Sequence, residues 1–210
     1  MVPPTFSLAG KLVLLTGAAR GLGLVMGQAI VSSGADLAMV DLNTVAEEDA
    51  AQQAQLMVEA FKDKYPDQRV PRVTAHYANV ADESSVDACV QEVLVAQAEQ
   101  ASVDGASVSP DDITINGLVT SAGFVENVPA VDYPPARMRA LWAVNVDGTY
   151  LFATAVARHL QERQATAAAL AAAASASATA TAELAITPPA SMVLVGSMSG
   201  AVVNIPQPQA

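Results

Sequence analysis

The chain has 210 residues and a formal net charge of −11, and its ten Lys and Arg against 21 Asp and Glu leave no basic stripe for nucleic acid or for an anionic membrane surface. One cysteine, Cys89, cannot form an internal disulfide and reads as a small buried apolar residue, while His76 and His159 match no metal-ligand spacing. No window of about 18 strongly apolar residues predicts a membrane span, and residues 1–10 lack the charged start and apolar run of a signal peptide, so the expected setting is cytoplasmic.

Lys11–Thr16 reads as a buried strand and Gly21–Ser33 as the helix after it, stopped at Gly34. Asp36–Val40 is a second strand ending at Asp41. Asn43 caps a polar helix reaching about Tyr65, which Pro66 ends. Arg72–Tyr77 is a third strand, and Glu83–Ala101 a helix with Val86, Val90, Val93 and Leu94 on one face. Ile113–Thr120 is a fourth strand, Arg137–Arg163 a long helix and Ser191–Val195 a fifth strand. The alternation predicts an α/β fold, a doubly wound parallel sheet of Rossmann type with about five strands, in one domain over 1–210. Ser102–Pro110 is a loop by composition. Residues 165–190 are low in complexity: alanine takes 14 of 26 positions, mostly separated by Ser and Thr, and the Ser/Thr-rich remainder has too few large apolar side chains to add much core. It is expected to be a mobile surface insertion whose start is able to prolong the preceding helix.

The segment from Leu12 to Gly23 carries the chemistry. An aliphatic strand feeds Gly17-x-x-x-Gly21-x-Gly23, and a helix follows. Glycine is required where the backbone takes positive φ or must approach a ligand without a Cβ. A strand, a glycine turn and a helix N-terminus together form a site for a dinucleotide pyrophosphate. The spacing is one residue longer than G-x-G-x-x-G, so the generic fingerprint does not strictly match. Asp41, eighteen residues after Gly23, can accept from adenosine ribose hydroxyls and would repel a 2′-phosphate, which favours NAD. Arg20 could pair with a 2′-phosphate, so NADP stays open. Asp41 has a plainer reading as the cap of a turn. Asn145 breaks a helical pattern, because asparagine competes with the helical backbone; such a violation is expected at a functional site, and a surface or satisfied buried amide is the plainer reading.

Residues 16–23, Thr-Gly-Ala-Ala-Arg-Gly-Leu-Gly, resemble the glycine motif of the classical short-chain dehydrogenases/reductases. Asn79-Val80 resembles the family's Asp-Val pair beside the adenine, and Ser121-Ala122-Gly123 its Asn-Ala-Gly motif. Asn145 resembles the helix asparagine that supports the proton relay, and Ser197 the serine that steadies the substrate oxygen. The tail from Ser197 to Ala210 resembles the subgroup acting on sugars and polyols. Together these readings assign Gly17, Arg20, Gly21, Leu22, Gly23, Asp41, Asn79, Val80, Ser121, Ala122 and Gly123 to coenzyme binding. They assign Ser197 and Asn145 to catalysis, and no residue to a metal. The resemblance implies hydride transfer between a nicotinamide coenzyme and a small alcohol or carbonyl compound.

The same resemblance calls for a Tyr-x-x-x-Lys motif after Ser197, the tyrosine serving as general acid/base. The last lysine is Lys64, the last tyrosine is Tyr150, and only thirteen residues follow Ser197. Losing general acid–base help typically costs ~10²–10⁴-fold in rate. Tyr133-Pro-Pro-Ala-Arg137 imitates the spacing, but it opens a helix, carries two prolines and precedes Asn145, so it is not read as catalytic. The expectation is an incomplete domain that lacks C-terminal strands, helices and the substrate loop, is inactive as it stands, and leaves the fifth strand as an exposed edge. Homo-oligomers are expected only of a longer form. A non-catalytic dinucleotide-binding module and a non-functional fragment are the competing readings.

Overall fold

The computed structural model describes residues 6–42, 45–103, 105, 107–176 and 190–197. Five strands form one sheet: β1 (Leu12–Thr16), β2 (Asp36–Asp41), β3 (Val73–Tyr77), β4 (Ile115–Thr120) and β5 (Ser191–Leu194). Their spatial order is β3-β2-β1-β4-β5, and every pairing is parallel. The helices are α1 (Gly21–Ser32), α2 (Val45–Lys64), α3 (Glu83–Val103), α4 (Pro135–Trp142) and α5 (Gly148–Ala176). The chain steps outward from β1 to β3, then returns to lay β4 on the other side of β1. Between β1 and β4 the winding direction reverses, and a ligand crevice belongs there, outside the carboxyl ends of the strands. The fold is the doubly wound parallel sheet expected of the sequence.

The two-residue period of β1 and β2 divides the core. Leu12, Leu14, Ala38 and Val40 face α3 and α5, where Val86, Val93, Phe152 and Val156 meet them. Val13, Leu15, Leu37 and Met39 face the other way, onto Val31 of α1 and Met57 and Phe61 of α2. Because both faces are covered, these strands are apolar throughout rather than alternating. Cys89 is buried in the first cluster, and burial pushes its thiol up to about 12, so it is inert at neutral pH. Where β1 meets β4 the register slips: Leu12 pairs with Ile115 but Val13 with Gly117. The skipped residue, Asn116, restores the lost hydrogen bond by accepting from the Leu12 N–H through Oδ1 at 3.0 Å.

One element departs from expectation. The predicted helix 137–163 is a composite: α4 starts earlier, with Pro135 in its first turn, and runs to Trp142; a π-helical turn, Ala143–Asp147, follows; and α5 then continues without a break. A proline in a first turn costs no hydrogen bond, because that N–H has no helical partner. The alanine-rich segment extends α5 as far as Ala176, as expected of the best helix former; residues 177–189 lie outside the described residues, as does Asn43, the expected cap of α2.

Candidate functional site

At the switch point lies a cavity of about 390 Å³. All eleven residues assigned to coenzyme binding line it: Gly17, Arg20, Gly21, Leu22, Gly23, Asp41, Asn79, Val80, Ser121, Ala122 and Gly123. Leu42, Ala78, Phe124 and Val144 complete the wall. Ala78 and Phe124 directly adjoin the motifs, so proximity in sequence could have flagged them. Val144 is brought in by the π-helical turn and had no such signal.

The glycine turn is shaped by close backbone packing. Gly17 has φ +67°, and a Cβ there would lie 2.8 Å from the Cα of Ala122. A Cβ on Gly23 would stand 2.0 Å from the Gly17 carbonyl oxygen. Gly21, at φ +56°, instead faces open space, where a ligand can come against bare backbone. Helix α1 begins here: Arg20 is extended, offers no side-chain cap, and its carbonyl accepts the first helical bond, from Leu24 N–H at 3.2 Å. The amides of Gly21, Leu22 and Gly23 precede that bond and have no helical acceptor, which is the arrangement that binds anions.

Asp41 ends β2 and fastens the turn. Its Oδ2 accepts from Ala19 N–H at 3.0 Å and its Oδ1 from Leu42 N–H at 2.8 Å. The turn-capping reading of Asp41 is therefore realised. Each carboxylate oxygen keeps a second lone pair for a ligand hydroxyl. Arg20 is exposed on the rim. Asn79 Oδ1 accepts from Ala81 N–H at 3.1 Å, closing an Asx turn before α3, so its NH₂ is the group left to meet a ligand acceptor.

The β4 side is tied to β1. Ser121 Oγ donates to the Thr16 carbonyl at 2.6 Å, and Thr16 Oγ1 accepts from Ala122 N–H at 3.2 Å. Asn145 stands behind this wall rather than in the cavity. Its Oδ1 accepts from Phe124 N–H at 3.1 Å and its Nδ2 donates to the Phe124 carbonyl at 2.9 Å, so one carboxamide takes both backbone polar groups of one residue. Its place in a π-helical turn fits the frequent use of such bulges at functional sites. Ser197 follows β5 at the same end of the sheet and is exposed. The polyol-like tail beyond it lies outside the described residues.

Tyr133 and Arg137 do not form a proton relay. Both converge on Glu126: the Tyr133 hydroxyl donates to Oε2 at 2.8 Å, Arg137 Nε donates to Oε2 at 3.1 Å, and Arg137 Nη2 pairs with Oε1. Desolvation, and then the hydrogen bond to Glu126, raise the Tyr133 pKa, the opposite of what a catalytic tyrosine needs. Among the described residues no cluster of His, Cys, Asp or Glu could hold a metal, and no helix is long and apolar enough to cross a membrane.

Comparison with known proteins agrees with this geometry. The chain is 32% identical over 209 residues to D-arabinitol 2-dehydrogenase (ribulose-forming) of Candida albicans, matching 99% of this chain and 61% of that enzyme. It is 28% identical to the NADH-dependent L-xylulose reductase of Ambrosiozyma monospora, over 98% of this chain and again 61% of that enzyme. Both relatives are thus longer than the matched region. A crystal structure of a short-chain type dehydrogenase/reductase from Mycobacterium marinum shares the fold, with a TM-score of 0.64 at 21% identity, covering 96% of this chain and 60% of that one. The short chain dehydrogenase model matches residues 11–186, a span that opens at β1 and takes in the whole lining of the cavity; the chain belongs to the short-chain dehydrogenase family, whose members are NAD(P)-dependent oxidoreductases.

Proposed function

We propose that the cavity binds a nicotinamide dinucleotide, NAD(H) in preference to NADP(H), and that the chain is the coenzyme-binding part of an oxidoreductase for sugar alcohols and their keto forms. One observation carries this: the motif residues, dispersed over more than a hundred positions, line a single cavity at the switch point. The pyrophosphate would lie on the amides of Gly21–Gly23, and the adenosine would lie toward Asp41 and Asn79. Asp41 supports NAD, since a carboxylate fixed by two backbone amides opposes a 2′-phosphate; the NADH-dependent relative points the same way. When bound, the coenzyme supplies or accepts the hydride. Asn145 would act by positioning Phe124, and Ser197 by steadying the substrate oxygen. The acidic chain with its single cysteine suits the reducing cytoplasm.

A second reading has its own support. No Tyr or Lys follows Ser197, and Tyr133-x-x-x-Arg137 is committed to Glu126. The 210 residues by themselves would then bind coenzyme without turnover. Calorimetric titration with NADH and NADPH, together with an assay of D-arabinitol oxidation, tests both readings. NADH binding tighter than NADPH, without turnover, is expected. Absence of NADH binding would overturn the first reading, and turnover by the chain alone the second.

A further inference from the structure

We propose that Glu126, with Tyr133 and Arg137, is a positioning element that holds the Phe124 wall against the nicotinamide half of the coenzyme; the proposal rests on the dinucleotide reading above. The strand order sets the direction. Asp41 and Asn79 follow β2 and β3, the glycine turn follows β1, and Phe124 follows β4, beside the end of β5 that leads to Ser197. A dinucleotide with its adenosine at Asp41 and its phosphates on Gly21–Gly23 therefore brings its reacting end to the segment after β4. Phe124 lines the cavity there and is 38% exposed, an aromatic surface open to a ligand.

That segment is gripped at two points by one helical run. Asn145, in the π-helical turn, takes both the backbone N–H and the carbonyl of Phe124. Arg137, eight residues earlier on α4, takes both oxygens of Glu126, and Tyr133, just before α4, adds a third donor. The hydrogen bond from Arg137, and then that from Tyr133, keep the Glu126 carboxyl below the usual carboxylate range, which favours the ionised form of the knot. None of the three belongs to either apolar core. An ion pair whose arginine is 60% exposed adds little to stability, whereas a planar guanidinium on both oxygens of a carboxylate fixes geometry. A tie of this kind, two residues from a cavity wall, acts on the shape of that wall.

The test compares two probes on the full chain: NADH, and ADP-ribose, which has the adenosine, both phosphates and the second ribose but no nicotinamide. E126Q is expected to weaken NADH about three- to tenfold and leave ADP-ribose within about twofold. Y133F, which keeps the ring and removes one donor, and R137K, which keeps the charge and loses the fork, are expected to show smaller losses of the same selective kind; they carry the test if E126Q does not fold. In an F124A background, E126Q is expected to cost nothing further for NADH, because Glu126 acts through Phe124. Equal losses for both probes, no loss for either, or additive losses in the double variant would overturn the proposal while leaving the dinucleotide reading intact. A wild-type chain that binds neither probe would sink both.

Discussion

Strands β1 and β5 are both short, apolar and paired in parallel with β4, yet all five residues of β1 are buried and all four of β5 are exposed. Met192, Val193 and Leu194 are 38%, 55% and 53% exposed, against 0% for Leu14 and Leu15. The difference lies in what covers them. β1 has α1 and α2 packed on one side and α3 and α5 on the other, whereas among the described residues β5 packs chiefly on β4. An aliphatic run is enough to specify pairing in a parallel sheet; burial, and the free energy that goes with it, comes from helices on both faces. The switch-point cavity sits over the well-covered strands, and Ser197 follows the exposed one.

The sharpest way to break this contrast is to delete the same kind of side chain on each side of it. Leu14→Ala removes a fully buried side chain from the core between the sheet and α3 and α5 and is expected to cost about 2–5 kcal/mol in urea denaturation. Val193→Ala in β5 is expected to stay within about 0.5 kcal/mol. Comparable losses would mean that β5 is covered in solution. Next comes the turn itself. Gly23→Ala drives a Cβ to within 2.0 Å of the Gly17 carbonyl oxygen, a backbone atom with no rotamer to give way. The turn must open, at about 1–3 kcal/mol, and NADH binding by calorimetry is expected to disappear. Retained affinity would show that the three amides are not the phosphate site.

The sequence was most legible where a local rule and the global fold agree. Strand β2 was expected over Asp36–Val40 and runs over Asp36–Asp41; α3 was expected over Glu83–Ala101 and runs over Glu83–Val103. The cavity lining was readable because glycine, a strand-end acid and short polar motifs each have a physical reason to stand where a strand ends. Three features were not readable. The register slip at Asn116 depends on a side chain replacing a backbone acceptor on a neighbouring strand. The π-helical turn inserts one residue's offset into an otherwise periodic helix, which a hydrophobic pattern does not register. The Glu126 knot joins residues seven and eleven apart through a loop with no period at all. In the first case the deciding contact exists only after distant segments have met; in the other two it is a local geometry that no sequence period announces.

The two flanks of the sheet also carry buried histidines, and these give a pH test of moderate size. His159 of α5 accepts from the first amide of β4, Ile115 N–H, through Nε2 at 3.4 Å, so that nitrogen must be unprotonated. Desolvation by burial, and then the Arg163 charge, hold its pKa below the usual histidine value; burial does the same to His76 on β3, against the pull of Glu92. The unfolded chain takes up these protons near pH 6.5 and the folded chain only at lower pH. Stability is therefore full above about pH 6.5 and falls as the pH drops toward the folded values. The slope is at most about 1.4 kcal/mol per pH unit for each histidine. His159→Gln retains an acceptor for Ile115 without a titrating group and is expected to flatten the acid side of the curve; an unchanged slope would show that His159 titrates alike in both states.

The smallest expected effect on stability falls on β5 and is the most telling about the contrast. Val193→Lys places a charge on a half-exposed position of a strand that has β4 on one side and, among the described residues, no strand on the other. Surface substitutions of this kind lie within about 0.5 kcal/mol. An open parallel edge with exposed Met192, Val193 and Leu194 is, however, a template for pairing with a second copy, and natural edges are commonly blunted with lysine. The variant is therefore expected to leave the urea midpoint and NADH affinity unchanged while shifting the chain from self-associated to monomeric species in sedimentation velocity. A wild-type chain that sediments as a monomer at the same concentration would mean that the apolar edge is already protected, and the contrast between β1 and β5 would then describe the isolated sheet rather than the protein in solution.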